Sequence, residues 1–475
     1  MSSMMTIAFF CLVAFTFFAL RVVDKFSKTE SIAIRNSNVV LVVASLLFVA
    51  YSDWKCAIII VVYSYLVFSC SKKGKIKAGI VLSLVALGLF KYFGFFVDSF
   101  AKAFGLQPSI GIQIILPLGI SFFVFSAIGY LVDVSRGKQK ALGFGNVLFY
   151  LVYFPKFVSG PIISSTGFFE QISRRRRVGY KSFETGIWIF VVGLFKKAVL
   201  ADRLSVFVGQ VYATPKVFGS LTLALAVLTY SLELFLDFSG YSDMAVGISK
   251  ILGIELPRNF NLPYISHNVT EFWKRWHMSL SKWLMNYLYI PLGGNRKGKY
   301  RMYLNLFLTM LLGGLWHGAG WNFLIWGAIH GIALVVHKVW MNKVRSKEKD
   351  HCFWTNLLSV IITFIFVSIT WVFFANDSFI NALDIIIGVF SFRKGLQQPY
   401  IWSLISFVFL FISTVTAIYK SSSFELKQKN TSKAEAFYVQ NDLSKFWNLV
   451  LFFVFSGMTF ALLYTDANPF IYGAF

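Results

Sequence analysis

Two histidines hold the strongest claim to chemistry in this sequence, His317 and His277. Both lie in the stretch 268–331, which carries three of the six histidines of the chain, His330 being the third. Tryptophans crowd around them at Trp273, Trp276, Trp283, Trp316, Trp321 and Trp326. His317 stands in LLGGLWHGAGWN, in an almost uncharged run. An imidazole at membrane depth costs free energy unless it is partnered or solvated. Gly318, Ala319 and Gly320 are small and leave room beside it for a ligand. Its ordinary pKa of ~6.5 suits general-base work on a hydroxyl, which gains roughly 10²–10⁴-fold from such a base. On the residues alone, a packed histidine bonded to a backbone carbonyl is an equal reading.

His277 stands in RWHMSLS, just after Lys274 and Arg275. It reads as a second polar group or proton relay for the same cavity, although the residues alone favour an interfacial aromatic. His330 follows His317 by more than three helical turns and reads as a packing or hydrogen-bonding residue. His267, His337 and His351 sit in polar or basic surroundings and read as surface. Asp237 and Asp243, in LDFSGYSDMAVGISKILG, are acids near the inner end of an apolar run. An acid there is a functional candidate by default, with an interfacial helix cap as the plain alternative. Asp237, Trp276, Ser279, Trp316 and Asn322 complete the set of candidates to line a substrate. No HExxH, CxxC or carboxylate cluster speaks for a metal. No GxSxG elbow, P-loop or dinucleotide fingerprint is present. The glycines and basic residues of YIPLGGNRKG suit a phosphate or a plain Gly-Asn turn equally.

These residues need elements to hold them. The 475 residues are 57% hydrophobic and 14% charged, with a mean hydropathy of +0.67. A soluble domain is about a quarter charged, so the composition describes a polytopic membrane protein in contact with a lipid bilayer. The net charge of +24 is spread between apolar runs. That pattern suits loops at an anionic cytoplasmic surface and excludes a single nucleic-acid-binding face. The four cysteines make no CxxC and read as small apolar residues. The apolar run from Met5 to Leu20 lacks a basic leader and reads as a retained first span.

Spans are predicted near 5–20, 38–51, 56–70, 78–97, 112–134, 184–206, 217–238, 353–375, 401–419 and 446–464. The basic loops Arg21–Arg35, Lys72–Lys77, Arg136–Lys140 and Lys420–Lys433 place these connections inside, and both termini outside. The segment 142–165 carries Pro155, Gly160 and Pro161, and the run Arg174–Arg177 beyond it is a second inside signal. It therefore reads as a re-entrant element, since helix breakers are tolerated at membrane depth where protein buries them. The segment 302–337 reads as a hairpin with His317 near its turn. It descends to the basic residues Lys338, Lys343, Arg345 and Lys347.

At this point a family is recognisable. FKYFGFF at 90–96, LPLGISFFVFSAIGYLVDVSRG at 116–137, FPKFVSGPI at 154–162, the run 236–264, EFWKRWHMSLSKWL at 271–284, YIPLGGNRKG at 289–298, the run 305–331 and NPFIYGAF at 468–475 resemble the membrane-bound O-acyltransferases. The resembling branch contains bacterial alginate O-acetyltransferase and the D-alanyl transfer protein of teichoic acids. The resemblance implies an all-α polytopic fold of about 11–13 transmembrane or re-entrant helices around a central catalytic tunnel. It implies one membrane-embedded domain over 1–475 with its core in 236–337. It makes His317 the catalytic histidine and His277 the second one.

It further implies acetyl transfer from a cytoplasmic donor, acetyl-CoA, to hydroxyls of an extracytoplasmic polysaccharide at a bacterial cytoplasmic membrane. No bound cofactor is implied. An exported or membrane-anchored partner with an SGNH, esterase-like fold would complete the transfer. YIPLGGNRKG favours acetyl over D-alanyl transfer. A polysaccharide or lipid-linked sugar transporter is the alternative from another class, but its internal repeats and paired intramembrane charges are not evident. The ending FIYGAF departs from the family's usual FIYFQF, and Arg174–Arg177 is more basic than the family leads one to expect.

Overall fold

Inside a bilayer each peptide N–H and C=O must find its partner within the protein, and the helix does this segment by segment. The computed structural model of the chain describes residues 7–106, 116–344, 353–376, 378–409, 412 and 446–462. Among these the one β pairing is an isolated bridge between Phe218 and Leu396. Seven helices are long and apolar enough to cross a membrane: Ile7–Phe26, Glu30–Ser52, Trp54–Lys72, Ile76–Ala103, Ser220–Ile251, Trp321–Lys343 and Trp354–Ala375. Ile120–Ser135, Phe379–Phe390 and Phe452–Ala461 are shorter apolar helices. The protein is an all-α, multi-pass membrane protein. Arg345, Lys347, His351, Cys352, the run Lys420–Lys433, the far part of the 401–419 span and the ending 468–475 lie outside the described residues.

The chain divides into two compact units, Met1–Ile187 with Ala245–Pro257, and Trp188–Met244 with Arg258–Phe475. In the first, helices outrun the apolar segments that mark them. The connection read as Arg21–Arg35 shrinks to three residues, because Ile7–Phe26 and Glu30–Ser52 extend through its basic residues. Thr29 caps the second helix by accepting from the Ile32 N–H. Asp53 ends that helix and caps the next through Lys55 N–H at 2.9 Å. Such caps satisfy donors that have no intrahelical partner.

The 142–165 segment is broken in the middle. Phe144–Val152 stops at Tyr153, one turn Phe154–Phe157 follows with Pro155 in its first positions, and Ser165–Ile172 resumes the helix. Side chains answer the groups that the break exposes. Tyr150 donates to the Ile163 carbonyl at 2.8 Å, and the Phe154 N–H donates to Ser45 Oγ at 3.1 Å. The break is thus buried in protein, the condition under which irregular backbone is tolerated at such depth.

Ser220–Ile251, which belongs to the second unit as far as Met244, runs unbroken for 32 residues. Asp237 and Asp243 therefore lie inside a continuous helix. They are neither near its end nor at an interfacial cap, which corrects the reading from sequence. The Ser-Gly pair at 239–240 does not stop the helix, because Gly240 serves a crossing. A Cβ there would stand 2.7 Å from the Gly193 carbonyl oxygen. Small residues let two helix backbones approach this closely. Lys299–His317 and Trp321–Val344 form the expected hairpin. Its arms also meet backbone to backbone: a Cβ on Gly314 would lie 2.3 Å from the Phe323 carbonyl oxygen, and one on Gly327 would lie 2.6 Å from that of Met310.

Candidate active site

His317 is the last residue of the first hairpin arm, and Gly318 turns the chain out of the helix with an extended backbone. Its side chain is 3% exposed. The imidazole packs edge-on against Trp316 at 4.9 Å, Trp326 at 5.2 Å and Phe374 at 5.3 Å between ring centres. Gly318 leaves less room than its size promises. A Cβ on it would fall 2.0 Å from the Phe323 ring. The space beside His317 at this position is thus filled by a phenylalanine five residues on, which corrects the expectation of an open ligand niche. At Gly320 the nearest such atom is 3.5 Å away.

His277 joins the helices Val269–Arg275 and Met278–Leu284. Its backbone is left-handed, with φ 41° and ψ 54°. That conformation costs a non-glycine residue ~1–3 kcal/mol and persists where the surroundings over-determine it. Here the surroundings are a loop centred on Asn259. The Asn259 carbonyl accepts from Met278 N–H at 2.8 Å, and its side-chain Oδ1 accepts from Ser279 Oγ at 2.6 Å. The His277 ring is fully buried, 4.7 Å from the Phe238 ring and 6.3 Å from Trp316. Trp316 therefore neighbours both imidazoles.

The remaining candidates divide. Ser279 holds the His277 turn through Asn259 and so supports the site. Trp316 joins the two histidines. Trp276 is fully buried in an aromatic core with Phe260 at 5.0 Å and Trp371 at 5.0 Å. Asn322 donates from Nδ2 to the Asn376 carbonyl, tying the second hairpin arm to the end of the next helix. Asp237 belongs to an ionic cluster. Lys197 Nζ lies 2.6 Å from Asp202 Oδ1 and 2.6 Å from Asp237 Oδ1, and all three side chains are 2% exposed. Glu233, one turn before Asp237, is buried as well. An ammonium shared by two carboxylates makes such burial tolerable for charge, and this buried pairing corrects the expectation from sequence that paired charges among the apolar helices are absent. Trp276, Asn322 and Asp237 are thus placed in supporting contacts, and Ser279 and Trp316 beside the histidines.

His330 takes a structural part. Trp273 Nε1 donates to its Nδ1 at 3.3 Å, and its Nε2 pairs with Thr370 Oγ1 at 2.9 Å. At the polar margin, Glu271 accepts from His267 N–H at 2.9 Å and from Arg275 Nε at 2.9 Å. Partial burial opposes the charge of this carboxylate, but these donors outweigh it and hold it below its ordinary range. Sequence reading missed Asn259, Phe238, Trp326 as a ring on His317, Phe374 and Lys197. Lys197 and Asp202 carried a signal as charges inside an apolar run. Asn259 carried none.

The membrane-bound O-acyltransferase family matches residues 1–377 of the chain. A relative named probable alginate O-acetylase AlgI, from Pseudomonas syringae pv. tomato, is 41% identical over 318 residues, 66% of this chain and 60% of its own length. A peptidoglycan O-acetyltransferase from Helicobacter pylori is 35% identical over 387 residues, 74% of this chain and 73% of its own. A teichoic acid D-alanyltransferase from Streptococcus thermophilus is 32% identical over 305 residues, 58% of this chain and 72% of its own. The chain thus spans three-fifths of the length of the first of these relatives. With two buried histidines gathered on one indole in an all-α membrane protein, and with that match over most of its length, the chain belongs to the membrane-bound O-acyltransferase family.

Proposed function

We propose that this protein is a membrane-bound O-acyltransferase that moves an acetyl group from a cytoplasmic donor, acetyl-CoA, to hydroxyls of an extracytoplasmic polysaccharide. The observation that carries the reading is the placement of His317. It is a buried residue that ends the first hairpin helix at a glycine-bearing turn, among aromatic rings, with Trp316 next to both it and a second buried histidine. The relatives named for O-acetyl transfer, at 41% and 35% identity, stand above the D-alanyltransferase at 32%, which favours acetyl as the group moved.

In this mechanism His317 is the general base. It takes the proton of the acceptor hydroxyl as that oxygen attacks the acetyl carbonyl. The carbon–sulfur bond breaks, and the leaving thiolate takes up the proton, giving an ester and a free thiol. His277 relays the proton, and the tryptophans exclude the water that would hydrolyse the donor. A passage converges on His317, with His277 on its cytoplasmic side and both termini outside. An exported SGNH, esterase-like partner completes delivery to the polymer. Trp276, Ser279, Trp316, Asn322 and Asp237 shape or support the substrate space. The protein acts as one membrane-embedded domain in the bacterial cytoplasmic membrane.

The test compares O-acetyl content of envelope and secreted polysaccharides in wild-type, deletion and His317→Ala cells. Loss of acetyl from one polymer in both mutants, at normal membrane levels of the variant, supports the reading and names the acceptor. Unchanged acetyl everywhere overturns it, and unchanged D-alanine as well moves a transport role ahead.

A further inference from the structure

The most basic run in the chain, Arg174–Arg177, has no part in the proposed chemistry. Two of its members are committed. Arg174 pairs with the exposed Glu170 at 2.5 Å. Arg175 pairs with Asp24, its Nε 2.7 Å from Oδ1 and its Nη2 2.8 Å from the Asp24 carbonyl oxygen. Arg176 differs. Its three guanidinium nitrogens are buried and find no hydrogen-bond acceptor among the described residues. It lines a small cleft together with Arg21, Asp24 and Ser37, closed by Ile251 and Leu252, with a volume of about 20 Å³. That is enough for a water-sized or single polar group.

The chain holds the guanidinium there deliberately. Gly253 has φ +81°, and a Cβ on it would stand 3.2 Å from Arg176 Cβ, so the arginine stem lies against a position that only glycine suits. Arg21 Nη2 donates to the Val178 carbonyl at 3.0 Å and straps the basic loop to the first helix. Burial lowers Arg176 to about 10, so it keeps its charge at neutral pH. A buried cation with five unanswered donors is costly. The Asp24 carboxylate does not answer it, being held by Arg175.

We propose that Arg176 is the base of a binding site for one phosphate-bearing anion. The planar fork of arginine suits phosphate oxygens, and the cleft takes one such oxygen, the size its volume allows, while the rest of the ligand stays outside. The site lies at the end of Ile7–Phe26, a helix whose Phe18 and Phe26 are 64% and 71% exposed. An apolar face of that kind meets lipid tails, and basic clefts at the ends of such helices meet lipid headgroups. An acidic phospholipid and a free phosphate are the two sources of this chemistry.

The experiment follows the apparent melting temperature of the purified full-length protein in mild detergent. Phosphatidylglycerol is added in one arm, phosphatidylcholine in a second and inorganic phosphate at matched ionic strength in a third. A ligand that binds only the folded state raises that temperature. Phosphatidylglycerol raises it for wild type and for Arg177→Gln, an exposed neighbour, and fails to raise it for Arg176→Gln; phosphatidylcholine has no effect. A rise with inorganic phosphate that Arg176→Gln abolishes supports the site and assigns it to free phosphate. If neither anion gives a rise that depends on Arg176, the proposal is overturned. Should Arg176→Gln fail to accumulate, Ser37→Leu, which fills the cleft and keeps the charge, takes its place with the same loss expected.

Discussion

The tip of the hairpin and its descending arm both hold a buried histidine in the same aromatic core, and they hold it differently. His330 lies in the regular interior of Trp321–Val344, with Trp273 on one ring nitrogen and Thr370 on the other. His317 lies at the last position of its helix, where Gly318 takes the chain away, and the rings of Trp326 and Phe374 stand edge-on to it. Trp326 touches both, at 5.2 Å and 5.0 Å. The difference teaches what makes one of them the better candidate for chemistry. A histidine whose two nitrogens serve the core cannot exchange a proton without breaking a buried hydrogen bond. A histidine at a broken helix end sits where the backbone gives way to a turn.

The sharpest way to break this comparison is to remove each ring in turn. His317→Ala is expected to lower acyl transfer by at least ~10²-fold with protein levels kept, the loss of a general base. Polysaccharide O-acetyl content relative to protein in the membrane checks it. Equal activity in His317→Ala and wild type would end the assignment. His330→Ala is expected to act on the fold. It strands the Trp273 N–H, worth ~1–3 kcal/mol when left unmet, while the Thr370 hydroxyl keeps its bond to the Val367 carbonyl at 2.7 Å. Thermal unfolding in detergent should show a clear fall, while activity per folded molecule stays within a few-fold. A variant as stable as wild type would mean that His330 is no structural tie.

Smaller changes sharpen the tip itself. Gly318→Ala drives a methyl into the Phe323 ring, and overpacking of this kind costs ~1–3 kcal/mol. Phe323→Ala in the same chain should restore part of the lost stability, and a double mutant no better than the single one would refute the clash. Ser279→Ala removes the bond to Asn259 that holds the His277 turn. It should cost ~1 kcal/mol and lower activity less than His317→Ala does. The smallest effect belongs to Glu271, whose carboxylate is held below its ordinary range in the folded chain. A lowered folded pKa contributes stability above the unfolded value and loses it as pH falls through the folded one. Glu271→Gln should therefore flatten the acid side of the melting profile slightly and leave the neutral side nearly parallel to wild type.

Much of the fold was legible because it is local. Apolar runs, basic connections and the glycines at 313–320 were enough to find the hairpin and to set His317 at its turn. Helix length was less legible. The 32-residue helix Ser220–Ile251 passes through Ser239, Gly240 and Asp243, which read as an ending. They continue it because Gly193 from another helix packs on Gly240 and because Lys196 meets Asp243 at 2.7 Å. A partner more than forty residues away leaves no mark in the local pattern. Asp237 was singled out for chemistry on the same footing, and its contacts turned out to be with Lys197.

By itself the sequence determined that this is an all-helical membrane protein, where its hairpin turns, and which histidine ends the first arm. Those follow from hydropathy and from glycine's backbone freedom, which act within a few residues. Only the tertiary structure decided that Phe323 fills the space beside Gly318, that Asn259 holds His277 in a left-handed turn, that Trp316 joins the two imidazoles, and that Arg176 is buried with its donors unanswered among the described residues. These depend on which side chains share a space after the helices pack, and packing joins residues by distance in three dimensions, to which their order along the chain is no guide.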